Sequence, residues 1–153
     1  MFKKRIGITQ RVTRHPVYNE TVDCLDTNWV KLLTSLKILP IPISLISHNS
    51  VNEIWKELKL DGLILSGGNT LADYADKTDP SENISIERDE YEKALLKVAL
   101  STDTPVLGVC RGLQLINVYY TGQLTVPGPG VPPSIISGQI VAIEMDKHLK
   151  KAS

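Results

Sequence analysis

Short apolar runs and amphipathic stretches alternate along this chain. Ile6-Gly7-Ile8-Thr9 predicts a first strand. A polar loop follows through His15-Pro16 and Tyr18-Asn19-Glu20. Asp23 is placed to cap a helix in which Leu25, Trp29, Leu32, Leu33 and Leu36 recur at helical spacing. Pro40 to Ile46 predicts a second strand, whose prolines suit a strand start or a sheet edge. His48-Asn49-Ser50 opens a second helix carrying Val51, Ile54, Trp55 and Leu58. Both tryptophans fall on apolar faces and read as core. Asp61 to Leu65 predicts a third strand, which runs out into Ser66-Gly67-Gly68-Asn69. Residues 69–85 are polar and include the turn-like Asp79-Pro80-Ser81. A mobile, solvated loop is favoured there over a lid built from Asp73, Tyr74, Asp76 and Asp79. Ile86 to Leu100 predicts a strong helix with Tyr91, Ala94, Leu95, Val98 and Ala99 on its apolar side. Thr104 to Val109 predicts a fourth strand, and Leu113, Leu115, Ile116 and Val118 a fourth helix. Beyond Tyr120 the character changes. Pro127 to Pro133 reads as loop, Ile135 to Glu144 as a strand or hairpin, and Lys147 to Lys151 as a solvated basic tail.

Strand and helix thus alternate four times, and the strands are nearly continuous apolar runs. That is the pattern of an α/β fold with a mostly parallel sheet covered by helices on both faces. Ligand sites in such folds lie beyond the C-terminal ends of the strands. No repeat or linker divides the chain, so residues 1–153 read as a single domain.

Composition narrows the function. A chain that is 42% hydrophobic carries enough apolar material for one core, which excludes a disordered chain. Lys and Arg (17) balance Asp and Glu (17), so the basic excess that drives nucleic-acid binding is missing, as is a reason to sit on an acidic membrane surface. No apolar run approaches the roughly 18 residues of a spanning helix. The basic start Met1-Phe2-Lys3-Lys4-Arg5 lacks the apolar stretch of a signal peptide. A cytoplasmic protein is expected, with no nucleic-acid or membrane partner. His15, His48 and His148 lie far apart, and none has metal-ligand spacing with Cys24 or Cys110. The two cysteines make no disulfide framework.

The chemistry concentrates at Gly108-Val109-Cys110-Arg111-Gly112, which has the form Gly-x-nucleophile-x-Gly between a predicted strand and a predicted helix. This is the pattern of a nucleophile elbow: a tight turn with small flanking residues that lifts the central side chain above the sheet. The N-terminus of the next helix favours an anionic nucleophile. The Arg111 amide, directly after the nucleophile, can face a developing oxyanion. A buried cysteine in an ordinary turn is the competing reading. Gly67-Gly68 ends the preceding strand, and a glycine amide there can supply a second oxyanion donor because no side chain blocks close approach. Cys24, beside Asp23 and Asp26 at the expected start of a helix, should be the less reactive thiol. Cys110, at an elbow tip beside Arg111, should be the more reactive one.

The segments Asp61–Asn69 and Pro105–Val118 resemble class I glutamine amidotransferase domains, most closely the gamma-glutamyl hydrolase-like peptidase branch. Arg88-Asp89, with Glu92 one turn on, resembles that branch's helix before the elbow strand. Arg5 to Arg11 and Leu25-Asp26-x-x-Trp29 resemble its first strand and helix. The Gln-Arg-Val and Tyr-Asn-Glu patterns near the N-terminus are similar to hydrolases of gamma-glutamyl-CDP-amidate. The resemblance covers residues 5–126. It implies a three-layer, flavodoxin-like sandwich with no metal or organic cofactor. It implies Cys110 as the nucleophile, Gly68 and Arg111 as oxyanion-hole amides, and Gln114 as a contact to the glutamyl part of a small gamma-glutamyl substrate. The expected reaction is hydrolysis of a gamma-glutamyl amide through a glutamyl thioester, with release of glutamate.

The family completes its triad with a histidine and a glutamate near the C-terminus. This chain has no His-x-Glu, and its one histidine after the elbow, His148, sits in the basic tail. Ser137 to Glu144 resembles the strand that precedes the triad segment in the family. The chain therefore reads as a domain shortened in its C-terminal part. Two alternatives stay open beside the hydrolase: a catalytically impaired binding or scaffold module, and a glutaminase subunit that feeds ammonia to a synthetase. A homodimer or a synthetase complex are the corresponding assemblies.

Overall fold

A computed structural model describes residues 1–121 apart from 16, 77 and 80–82. The readings made for the region beyond 121, His148 included, lie outside the described residues. The elements are β1 (Lys4–Thr9), β2 (Arg11–Arg14), β3 (Thr21–Cys24), α1 (Thr27–Ser35), β4 (Ile38–Ile43), α2 (Val51–Leu58), β5 (Gly62–Leu65), α3 (Ile86–Ser101), β6 (Val106–Gly108) and α4 (Arg111–Thr121). A single 3-10 turn, His48–Ser50, leads into α2.

Four strands form one parallel sheet in the order β4-β1-β5-β6. The prolines of β4 sit opposite Ile6 and Ile8 of β1. They are tolerated because β4 is an edge of the sheet among the described residues, where a missing N–H costs no ladder partner on the outer side. Side chains alternate across β5, and this sets the layers. Leu63 and Leu65 point to the larger core, with Val51 and Trp55 of α2, Tyr91, Leu95, Leu96 and Ala99 of α3, and Leu115 and Ile116 of α4. Ile64 points the other way, to Ile8, Leu33 of α1 and the half-buried Trp29. The fold is therefore α/β with helices on both faces of a parallel sheet, as the apolar runs predict.

Polar contacts fix the register. The Asp61 carboxylate accepts from the Arg5 amide at 2.8 Å and from Lys4 Nζ at 2.9 Å, joining the start of β5 to β1. The Arg5 amide, with Lys4 beside it, holds that carboxyl below its ordinary pKa. Asp26, not Asp23, caps α1, accepting from the Asn28 amide at 2.8 Å. Asp23 lies in β3 and accepts from the Leu45 amide at 2.7 Å.

Further expectations need correction. The segment after β1 is not simply a polar loop: β2 and β3 pair antiparallel from Arg11↔Cys24 to Arg14↔Thr21. Cys24 is consequently the last residue of a strand, not the start of a helix. The loop after β5 is not free at its ends. Leu71 is buried, Thr70 and Ile84 form a bridge, and the Thr70 amide donates to the Asn83 carbonyl at 2.7 Å. Burial of Leu71 recovers the apolar energy that anchors a segment otherwise rich in polar residues. Asp73, Tyr74, Asp76 and Asp79 lie at the surface.

Candidate active site

Strands β5 and β6 are neighbours, with Leu65 opposite Gly108. The loops that leave their C-terminal ends are therefore side by side, and the Val109 amide donates to the Leu65 carbonyl at 2.9 Å. Cys110 stands at the tip of the second loop. Its φ is +54°, a left-handed conformation that costs a non-glycine residue energy and that elbows impose on their nucleophile. Its side chain is exposed. The α4 helix starts at the next residue, and both the Leu113 and Gln114 amides donate to the Cys110 carbonyl, at 3.0 and 3.1 Å. Cys110 thus acts as the residue before a helix N-terminus, where positive dipole ends collect.

The flanking glycines are dictated by space. A Cβ on Gly112 would overlap the Leu65 carbonyl oxygen and lie 2.7 Å from the Leu65 Cβ. One on Gly108 would lie 2.7 Å from the Leu113 amide nitrogen. The elbow can press onto β5 only because both positions are bare.

Gly67 meets the elbow from the other loop. A Cβ placed on it would lie 3.3 Å from the Cys110 Cβ and 3.8 Å from its Sγ. Gly68 follows with φ +81° and packs under the aliphatic stem of Arg11, 2.9 to 3.6 Å from where its Cβ would be. The structure therefore brings Gly67 against Cys110, while the next residue, Gly68, faces Arg11. The amides of Gly68 and Arg111 donate to no described group. Gln114 lies one turn into α4 and is half-buried.

Beneath this surface lies a charge cluster whose geometry the sequence does not announce. Arg88, Asp89, Glu92 and Arg111 are each at most 2% exposed. Arg111 donates to both Glu92 Oε2 and Asp89 Oδ1. Arg88 Nε donates to Glu92 Oε1 at 2.9 Å. The second Asp89 oxygen accepts from the Ala72 amide at 2.9 Å. Two cations and two anions balance. Burial lowers the Arg88 pKa from its ordinary value, the Arg111 charge adds to this, and Glu92 opposes it. This arrangement corrects the role expected of the Arg111 side chain: its charge is taken up by two carboxylates below the elbow, so it is not a free cation beside the thiol. Asn69, also unforeseen, pairs both backbone groups of Val12, accepting from its amide at 2.9 Å and donating to its carbonyl at 2.7 Å. It docks the β2–β3 hairpin onto the glycine loop.

The two thiols differ in access. Cys24 is half-buried in the hairpin and Cys110 is exposed at the tip. Iodoacetamide near neutral pH is expected to alkylate Cys110 several times faster than Cys24, read by peptide mass. Faster reaction at Cys24 would mean the elbow does not present its side chain as described.

Comparison with known proteins identifies relatives of this chain. The Peptidase C26 family pattern matches residues 5–128. The gamma-glutamyl-CDP-amidate hydrolase of Campylobacter jejuni is 34% identical over 123 residues, which cover 78% of this chain and 57% of that protein. A putative glutamine amidotransferase-like protein of Lactococcus lactis is 41% identical over 68 residues, 42% of this chain and 29% of that protein. The glutaminase domain of a Trypanosoma brucei CTPS aligns with 80% of this chain and 42% of its own, at a TM-score of 0.45 and 15% identity. The chain spans less than two thirds of the length of these curated relatives. Among the described residues no helix is long and apolar enough to cross a membrane. A match that runs unbroken from the first strand through the elbow helix makes this chain a member of the Peptidase C26 family.

Proposed function

We propose that this chain carries the nucleophilic half of a cysteine hydrolase that cleaves the gamma-glutamyl amide bond of a small substrate. The observation that carries the reading is the contact of the Cys110 side chain with Gly67 at the ends of two adjacent parallel strands. The Cys110 sulfur attacks the amide carbonyl carbon. The oxygen that becomes negative is met by the Gly68 and Arg111 amides, whose hydrogens have no described acceptor. The carbon–nitrogen bond then breaks, the nitrogen takes up the proton that the thiol has given up by way of solvent, and a glutamyl thioester remains on Cys110. Water attacks that thioester and releases glutamate and the free thiol. Gln114 is assigned to the glutamyl end of the substrate. The name of the Campylobacter relative supports a gamma-glutamyl amidate of a cytidine diphosphate as the first substrate to try.

The test is a glutamine-shaped electrophile, 6-diazo-5-oxonorleucine. Its loss of dinitrogen should leave an added mass on the peptide containing Cys110, with excess glutamate slowing the reaction. A Cys110 that iodoacetamide alkylates but saturating diazo reagent leaves untouched would show that the thiol has no glutamyl pocket beside it.

A further inference from the structure

We infer that Arg88 is a positioning residue, which aims the Gly68 amide at Cys110 by holding three consecutive carbonyls of the glycine loop from behind. This rests on the hydrolase reading above, since it concerns how that site is shaped. One guanidinium reaches the carbonyls of all three residues. Nη1 donates to the Gly68 carbonyl at 2.6 Å and to Asn69 Oδ1 at 2.9 Å. Nη2 donates to the Ser66 carbonyl at 3.1 Å, to Ser66 Oγ at 3.1 Å and to the Gly67 carbonyl at 3.2 Å.

Peptide planarity turns these contacts into an orientation. In a trans peptide the carbonyl of one residue and the N–H of the next point in opposite directions within one plane. A Gly67 carbonyl that faces Arg88 therefore sends the Gly68 N–H away from Arg88. The Ser66 and Gly68 carbonyls fix the Gly67 and Asn69 amides in the same way. Gly67 borders Cys110, and the Gly68 N–H, turned away from Arg88, is assigned to that side of the loop. Glycine needs such a restraint, because with φ at +81° and no Cβ the 67–68 peptide has an accessible flipped state.

The same guanidinium is tied to the other oxyanion donor. Glu92 accepts from Arg88 with one oxygen and from Arg111 with the other. Residue 111 supplies the elbow amide, so both donors refer to a single frame anchored on α3. Arg111 keeps its own pairs with Glu92 and Asp89 when Arg88 is changed, so loss of the fork should loosen the glycine amide while leaving the elbow in place.

The test compares two reactions at the same sulfur. Acylation by the gamma-(4-nitrophenyl) ester of glutamate forms the sulfur–carbon bond, breaks the ester carbon–oxygen bond and releases 4-nitrophenolate, with the thiol proton going to solvent. It passes through an oxyanion and needs no acid for its leaving group. Alkylation by iodoacetamide forms no oxyanion. In Arg88→Lys the maximal acylation rate is expected to fall about 10- to 100-fold, less than the loss of an oxyanion donor outright. The ester's half-saturating concentration and the alkylation rate should stay near wild type, because the lost contact belongs to the transition state alone. Asn69→Gly, which accepts a positive φ and keeps the charge cluster, is the milder variant. It should lower acylation in the same selective way, and it serves if Arg88→Lys does not fold. Unchanged acylation in both variants overturns the proposal, as does an equal fall in acylation and alkylation in a folded variant. If the wild-type chain is alkylated but never acylated, the hydrolase reading fails instead. Arg88 is then judged by a crystal structure of Arg88→Lys, in which a turned 67–68 peptide supports the inference and an unmoved one overturns it.

Discussion

Replacing Glu92 by alanine is expected to destabilise the folded chain by about 3–5 kcal/mol, the usual cost of removing one partner from a buried ion pair. Glu92 is fully buried and accepts from Arg88 and Arg111 at once. Without it, two buried guanidinium groups share the single carboxylate of Asp89. Arg88 keeps only the neutral acceptors of the glycine loop and Arg111 keeps only Asp89, so much of the desolvation suffered by both charges is left uncompensated. Urea denaturation followed by circular dichroism measures the loss. Glu92→Gln keeps the shape and one acceptor, and should fall between the wild type and alanine. A midpoint for Glu92→Ala indistinguishable from wild type would mean that water reaches the cluster and that the charges are not held as described.

Gly112→Ala should be of similar severity, at or above the upper end of the roughly 1–3 kcal/mol that overpacking costs. The added methyl would overlap the carbonyl oxygen of Leu65. That atom belongs to β5, which is paired on both sides by β1 and β6 and cannot step back without breaking two ladders. Gly62→Ala is the informative contrast. There the nearest atom is the end of the Ile6 side chain, at 2.8 Å, which can rotate away. The expected result is a large fall in the urea midpoint for Gly112→Ala, with slower alkylation of Cys110, and a smaller fall for Gly62→Ala. Equal effects would mean that the elbow does not press on β5.

The sheet was legible because burial on both faces leaves a local mark. Ile6 to Thr9, Asp61 to Leu65 and Thr104 to Val109 stand out as apolar runs, and the strands they contain pair as neighbours. The elbow was legible for a similar reason, since Gly108, Cys110 and Gly112 all act within five residues. The hairpin was not. Its eight strand residues are exposed or half-buried, so no alternation marks an inner face, and its docking depends on Asn69, far along the chain. Its β-branched residues Val12, Thr13, Thr21 and Val22, flanking the His15–Glu20 turn, were the available signal. The charge cluster was half legible. The resemblance singled out Arg88, Asp89 and Glu92, but helical periodicity gives no reason to bury them. Their burial is explained by Arg111, which arrives from another helix and neutralises two carboxylates.

If Cys110 is a nucleophile toward a gamma-glutamyl carbonyl, its covalent product can be trapped. The chain is mixed with a gamma-glutamyl amide, beginning with the cytidine diphosphate amidate, quenched in acid after short intervals and digested for peptide mass. The expected result is a glutamyl residue added to the Cys110 peptide, removed by hydroxylamine as a thioester is, and absent from Cys110→Ala. Release of glutamate by Cys110→Ala at the wild-type rate, or a hydroxylamine-labile adduct on any residue other than Cys110, would contradict it.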